Sequence, residues 1–132
     1  MRNLILLVLG IAIGAIGAAN AVNILRQRDA YPRGLMDVMQ HHYAAIGMQV
    51  RERQCGQTIS SHLLVMRTLA VEIESAVYGA HTPEDGFRKD AQRLRKSLAA
   101  FPGANPPANC AGLAPALKRI GHACDACHQA YR

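Results

Sequence analysis

Four stretches of the chain place apolar residues at alternating steps of three and four, and this spacing constrains the fold more than any other feature. Residues three and four apart lie on one face of an α-helix, so each stretch predicts a helix with one buried side. Because the breaks between the stretches are short, consecutive helices should be antiparallel neighbours. We predict an all-α fold, an antiparallel four-helix bundle with up-down-up-down topology. The predicted seam residues are Met36, Met39, Tyr43, Ile46 and Val50, then Ile59, Leu63, Met66, Ala70, Ile73 and Val77, then Phe87, Ala91, Leu94, Leu98 and Phe101, and finally Leu113, Leu117, Ile120, Cys124, Cys127 and Tyr131.

The breaks carry residues that end and begin helices. The first helix should start after residues 29–32, Asp-Ala-Tyr-Pro, and Gly56 separates it from the second. Residues 82–85, Thr-Pro-Glu-Asp, predict an N-cap, a proline at the first helical position and an acidic opening turn. Residues 102–107, Pro-Gly-Ala-Asn-Pro-Pro, predict a stop before the last helix.

The chain opens with residues 4–19, a continuous run of apolar and small residues behind one arginine. Such a run resembles a secretory signal, and cleavage after Ala21 would leave a soluble periplasmic protein. The apolar character continues to Leu25, however, which is long enough to span a bilayer as a helix. We favour an uncleaved anchor on the periplasmic side of a bacterial membrane, with residues 1–28 as signal or transmembrane anchor and residues 29–132 as the bundle domain.

The most specific motif is Cys-x-x-Cys-His at residues 124–128, the attachment signature of a c-type haem. On a helix, Cys124, Cys127 and His128 lie at i, i+3 and i+4 and therefore project from one face. The two thiols can bond the haem vinyl groups while the imidazole reaches the iron. We predict one covalent haem c, attached by both cysteines and ligated by the histidine.

Three other interpretations of this motif are weaker. A thioredoxin-like redox pair expects a preceding strand in a βαβ setting, and no strand-like run precedes residue 124. Half of a zinc site expects a second ligand pair, whereas Cys55 and Cys110 are single and far apart. A disulfide between Cys124 and Cys127 would strain a helical turn.

The remaining two cysteines lie at the end of the first predicted helix and the beginning of the fourth. In an up-down-up-down bundle these two points share one pole, so we predict a disulfide between Cys55 and Cys110. A disulfide persists outside the cytoplasm, where the first segment would send the domain. The alternative is two free buried thiols.

The net charge and the lack of catalytic patterns limit the classes of function that we expect. The formal net charge is +6, from 15 Lys and Arg against 9 acidic residues. This charge would steer the protein to an acidic partner or to anionic lipid head groups, although a solvated basic face gives the same composition. Nucleic-acid binding is not favoured because the basic residues lack interleaved aromatics. No Ser/His/Asp, paired-carboxylate or phosphate-binding pattern is present, so we do not expect an enzyme.

The four predicted helices resemble the bundle of cytochrome c′ and its low-spin, Met-ligated relatives, the class II c-type cytochromes. The resemblance covers about residues 31–132. Its most specific parts are Gly-x-x-Cys-x-x-Cys-His-x-x-Tyr-Arg at residues 121–132 and the first-helix run at residues 31–46. Family members often dimerise through their first two helices, so the resemblance also implies a homodimer.

The resemblance assigns further residues around the haem. Met36 matches the first-helix position that faces the distal side of the iron, and Met39 is the competing ligand one turn along. Tyr43 follows at a spacing that supports this alignment. Arg33 and Arg132 match positions in the haem surroundings, as a propionate partner and as an arginine near the proximal histidine.

With His128 and Met36 as axial ligands, we expect low-spin iron and one-electron exchange with redox partner proteins. The first alternative is core packing by Met36, the usual role of a bundle methionine, which leaves five-coordinate iron that binds NO or CO as in cytochrome c′. The second is a membrane-anchored haem subunit of a respiratory or photosynthetic complex.

The other histidines carry weaker expectations. His41 and His42 are adjacent on the first helix, so only one of them can face the interior, and His62, His81 and His122 sit among polar neighbours. We expect each to be on the surface or hydrogen-bonded in the core rather than a metal ligand.

Overall fold

The computed structural model of the chain describes residues 2–102 and 110–131. These residues form four α-helices and contain no strand, so the prediction of an all-α fold is confirmed for them. The helices are α1 (Arg2–Arg51), α2 (Gln57–Tyr78), α3 (Asp85–Ala99) and α4 (Leu113–Tyr131).

The chain divides into two units, Met1–Arg33 and Gly34–Arg132. The first unit contains one apolar segment, Asn3–Ile24, with a mean hydropathy of 2.3 and none of its residues buried. Its 22 residues are long and apolar enough to cross a bilayer, and a signal sequence has the same properties. An apolar N-terminal helix is therefore present, and it fits both an anchor and a signal.

Helix α1 differs from the sequence expectation at its proline. The sequence predicts a new helix after residues 29–32, whereas α1 continues through Pro32 to Arg51. A proline inside a helix removes one backbone hydrogen bond but does not by itself force the chain out of helical geometry. The division between the two units falls directly after this position, between Arg33 and Gly34.

The second unit is organised around one apolar core to which all four helices contribute. Every seam residue predicted for the third stretch is buried, as are all those of the second stretch except Val77, which is exposed near the end of α2. No polar or charged side chain is buried among residues 34–102 and 110–131. The largest fully buried side chains are Ile46, Ile59, Leu63, Met66, Leu98, Leu113 and Ile120.

The helix boundaries follow the breaks only in part. Gly56 is the N-cap of α2, as its position between the stretches suggests. Helix α3 begins at Asp85 with Glu84 as its N-cap, two residues later than the predicted cap. The Glu84 side chain makes no capping hydrogen bond. The predicted stop at residues 102–107 falls, from residue 103 onward, outside the described residues.

The C-terminus of α3 is capped by a side chain from α2. The Arg67 guanidinium donates to the carbonyl oxygen of Leu98 at 3.0 and 3.1 Å, and to those of Ala99 and Phe101 at 3.3 and 3.2 Å. The last carbonyls of a helix lack intrahelical donors, and a cation there also opposes the negative end of the helix dipole. Arg67 therefore ties α2 to the point where α3 ends.

Cys55 and Cys110 lie at disulfide-bonding distance, with their Cα atoms 5.5 Å apart and 55 positions apart in the sequence. This is the pair that the sequence predicts. Both side chains pack against the apolar core. The bond would join the segment after α1 to the segment before α4.

We predict that the Cys55→Ser/Cys110→Ser variant loses about 3–4 kcal/mol of unfolding free energy, because the bond closes a loop of 55 positions and restricts the unfolded chain. Urea unfolding followed by circular dichroism measures this loss. As a control, a thiol reductant should destabilise the wild type and leave the variant unchanged. Equal stability of wild type and variant would contradict the bond.

Candidate functional site

The candidate site is the turn near the C-terminal end of α4 that carries Cys124, Cys127 and His128. Both cysteines are half-buried, pack against the apolar core and form no disulfide. The His128 side chain is exposed, and it has no hydrogen-bond partner in the part of the chain that the structure describes. Two thiols and an imidazole thus share one helical turn at the margin of the core.

The surroundings of the two thiols keep them protonated. Burial, followed by the nearby charges of Asp125 and Cys127, raises the pKa of the Cys124 thiol to about 11. Burial and the carboxylate of Asp90 on α3 raise the pKa of Cys127. Both thiols are therefore harder to deprotonate than a free cysteine.

Tyr43 of α1 lies against α4 one turn before the first of these cysteines. Its hydroxyl donates a long hydrogen bond of 3.5 Å to the carbonyl oxygen of Leu117, and it sits over Gly121, where a Cβ would come within 2.6 Å of the Tyr43 oxygen. Burial and the charges of Cys124 and Asp125 raise the pKa of Tyr43. The structure therefore brings Tyr43 to the cysteine turn.

An aromatic cluster lies at the other end of this turn. The ring of Phe87 on α3 meets the rings of Tyr78 and Tyr131 edge-on, with centroids 4.9 and 5.1 Å apart. Tyr131 also lies so close to Gly86 that the structure leaves no space for a Cβ there. The sequence pattern placed Phe87 and Tyr131 on the seams of the third and fourth helices but did not predict the cluster, since no periodicity relates residues on different helices.

The other residues predicted to surround the haem are two methionines and two arginines. Met36 is half-buried and packs against the core, and Met39 is buried within it with 5% of its surface exposed. Arg33 is exposed and belongs to the first unit. Arg132 lies outside the described residues.

The donor set of the turn fits a covalently attached haem. Both thiols are outside any disulfide and half-buried against apolar side chains, as attachment to an apolar ring requires, and the neighbouring imidazole is accessible. A zinc site fits less well, because no second pair of ligands with zinc spacing accompanies the motif in the sequence. Within residues 2–102 and 110–131, moreover, no three His, Cys, Asp or Glu side chains are grouped to hold a metal ion.

We predict that Gly121→Ala destabilises the protein by about 1–3 kcal/mol, because the new Cβ would lie 2.6 Å from the Tyr43 hydroxyl oxygen. In a Tyr43→Phe background the nearest remaining ring atom is 3.4 Å away, so most of this cost should disappear. Chemical denaturation of the four proteins in this double-mutant cycle measures the coupling.

A glycine with more space serves as the control. Gly47→Ala should stabilise the protein by up to about 1 kcal/mol, because alanine favours the helix and its Cβ would lie 3.6 Å from Leu117. Strict additivity of the Gly121 and Tyr43 substitutions would contradict the placement of Tyr43.

Comparison with known proteins gave no match: no family model, no curated protein and no solved structure matches this chain. The resemblance to a cytochrome family therefore remains an expectation from the sequence.

Proposed function

We propose that this protein is a c-type haem protein that carries single electrons. In this proposal Cys124 and Cys127 form the two thioether bonds to one haem, His128 is one axial ligand of the iron and Met36 is the other. The observation that carries the proposal is the cysteine turn of α4, where two half-buried thiols outside any disulfide adjoin an accessible imidazole. We propose that the protein is a class II c-type cytochrome.

The haem, when bound, would supply iron that alternates between the ferric and ferrous states and so passes one electron at a time. The chain's part would be to hold and enclose this group. Cys124 and Cys127 would tether it, and the apolar side chains beside them would exclude water from its face. The Tyr43 ring would pack the side of the turn nearer the N-terminus of α4, while Tyr131 and Phe87 would hold its other side. A thioether from Met36 would raise the reduction potential.

We also propose that the four helices form the up-down-up-down bundle. In three pairs of helices, the contacting residue numbers rise along one helix as they fall along the other, as antiparallel neighbours require. Helices α1 and α2 follow each other across residues 52–56 and meet further along at His42 and His62. The supporting pairs are Tyr43 with Gly121 and Gly47 with Leu117, Arg67 with Leu98 and Glu74 with Arg95, and Phe87 with Tyr131 and Asp90 with Cys127.

The exposed apolar segment supports a periplasmic, membrane-anchored location. None of the residues of Asn3–Ile24 is buried in protein, which suits a lipid environment. The proposed protein has no substrate to transform and is therefore not an enzyme. Its net charge of +6 suits docking to an acidic redox partner. The same anchor supports a second candidate function, that of a membrane-held haem subunit of a respiratory or photosynthetic complex.

We predict that the purified wild type is coloured and that its intact mass equals the polypeptide plus one haem, since two thioether bonds survive denaturation. The Cys124→Ser/Cys127→Ser variant should lose the covalent haem. The matched control, Cys55→Ser/Cys110→Ser, also removes two cysteines but should keep the haem. A colourless wild type with two alkylatable thiols at Cys124 and Cys127 would overturn the proposal.

We predict that Met36→Ala converts the ferric haem from low spin to high spin and makes the ferrous form bind CO readily, because the sixth iron ligand is lost. Optical spectra of both redox states, with and without CO, measure this change. Met39→Ala should retain low-spin iron, and Met48→Ala, an exposed position on the same helix, should change nothing.

Two outcomes would change the assignment of the sixth iron ligand. A change of spin state in Met39→Ala alone would make Met39 the ligand. High-spin wild-type iron that binds CO directly would favour a cytochrome c′-like protein that binds NO or CO.

A further inference from the structure

Two histidines from neighbouring helices meet in the second unit, away from the cysteine turn. The Nδ1 atoms of His42 on α1 and His62 on α2 lie 2.7 Å apart, with ring centroids 4.9 Å apart. Both side chains are half-buried. The exposed His41 ring stands edge-on to His42, with centroids 5.3 Å apart. Helical periodicity does not indicate this contact, because the two residues are 20 positions apart and lie on different helices.

The short distance restricts the protonation of the pair. Two imidazole nitrogens can approach this closely only when one hydrogen lies between them, so that one nitrogen donates and the other accepts. Burial and the neighbouring rings of His62 and His41 lower the pKa of His42, which favours its neutral form. Neutral imidazole is also the form that binds metal ions.

We propose that His42 and His62 together bind a divalent transition-metal ion such as Zn²⁺, with water completing its coordination. The metal would take the place of the hydrogen that the two Nδ1 atoms share. Zn–N bonds of about 2.0–2.1 Å at a tetrahedral angle put the two nitrogens about 3.3–3.4 Å apart. The rings therefore need to separate by about 0.6 Å, a distance that side-chain rotation provides.

The surroundings suit an ion that is only partly enclosed. Half-burial leaves one side of the pair open, so water can reach the ion and complete its coordination. Within residues 2–102 and 110–131 no third His, Cys, Asp or Glu joins a metal-holding group, so the protein supplies two ligands. Imidazole nitrogen suits Zn²⁺, Cu²⁺ and Ni²⁺ rather than Mg²⁺ or Ca²⁺, which prefer oxygen. Neither His42 nor His62 is among the residues proposed to hold the haem.

The full chain is purified in detergent with any cofactor it carries, and chelator removes bound metal ions. Zn²⁺ is then titrated into it, and isothermal titration calorimetry measures the binding. Zn²⁺ is chosen because it does not exchange electrons with a haem. The variants are His42→Gln and His62→Gln, and the matched control is His81→Gln, an exposed histidine after α2. His41→Gln tests whether the neighbouring ring takes part.

Wild type, His81→Gln and His41→Gln should bind one Zn²⁺ per chain with equal affinity. His42→Gln and His62→Gln should each weaken binding by at least about tenfold, because loss of a ligand exceeds the usual cost of losing a residue behind one. Far-UV circular dichroism verifies that each variant is folded. If one of the pair fails to fold, the other decides, since each removes one of two ligands.

The proposal is wrong if the wild type binds no Zn²⁺, in which case the two histidines form only a hydrogen bond. It is also wrong if His81→Gln weakens binding as much as the paired variants, because the loss is then not specific to the pair. An equal loss in His41→Gln would make His41 a third ligand and would contradict a site with two protein ligands.

Discussion

The second unit depends on the burial of one apolar stripe from each of its four helices. No polar or charged side chain is buried among the residues described there. A core of this kind gives no partner to a buried polar atom, so reactive side chains are stable only at its margin. The two thiols of the cysteine turn and the two facing histidines all occupy such half-buried positions. Both proposed sites are therefore where the core permits chemistry.

The cysteine turn is held by two tyrosines, each of which lies over a glycine on another helix. Tyr43 of α1 occupies the space above Gly121 of α4, and Tyr131 of α4 occupies the space beside Gly86 of α3. Such pairing of a large side chain with the smallest residue lets helices approach closely without a void. The two tyrosines thus hold the turn from both sides. A group attached to the turn needs such support to keep a fixed position and environment.

Charged side chains act around the rim rather than in the core. Arg67 satisfies the last carbonyls of α3, and Arg95 pairs with Glu74 across α2 and α3 at 2.6 Å. Both contacts join α2 to α3, and neither uses a residue of the proposed sites. Structural and functional polar groups are in this way kept separate.

Periodicity alone determined which side of each helix faces the core, because burial of one face imposes the helical repeat on the sequence. Thus Phe87, Leu94 and Leu98 are buried as predicted. The Cys-x-x-Cys-His motif by itself places two thiols and an imidazole on one helical turn. The meeting of His42 with His62 and of Tyr43 with Gly121 was decided only by tertiary structure. These contacts depend on how one helix is rotated and shifted against another, and the repeat within a single helix does not encode that relation.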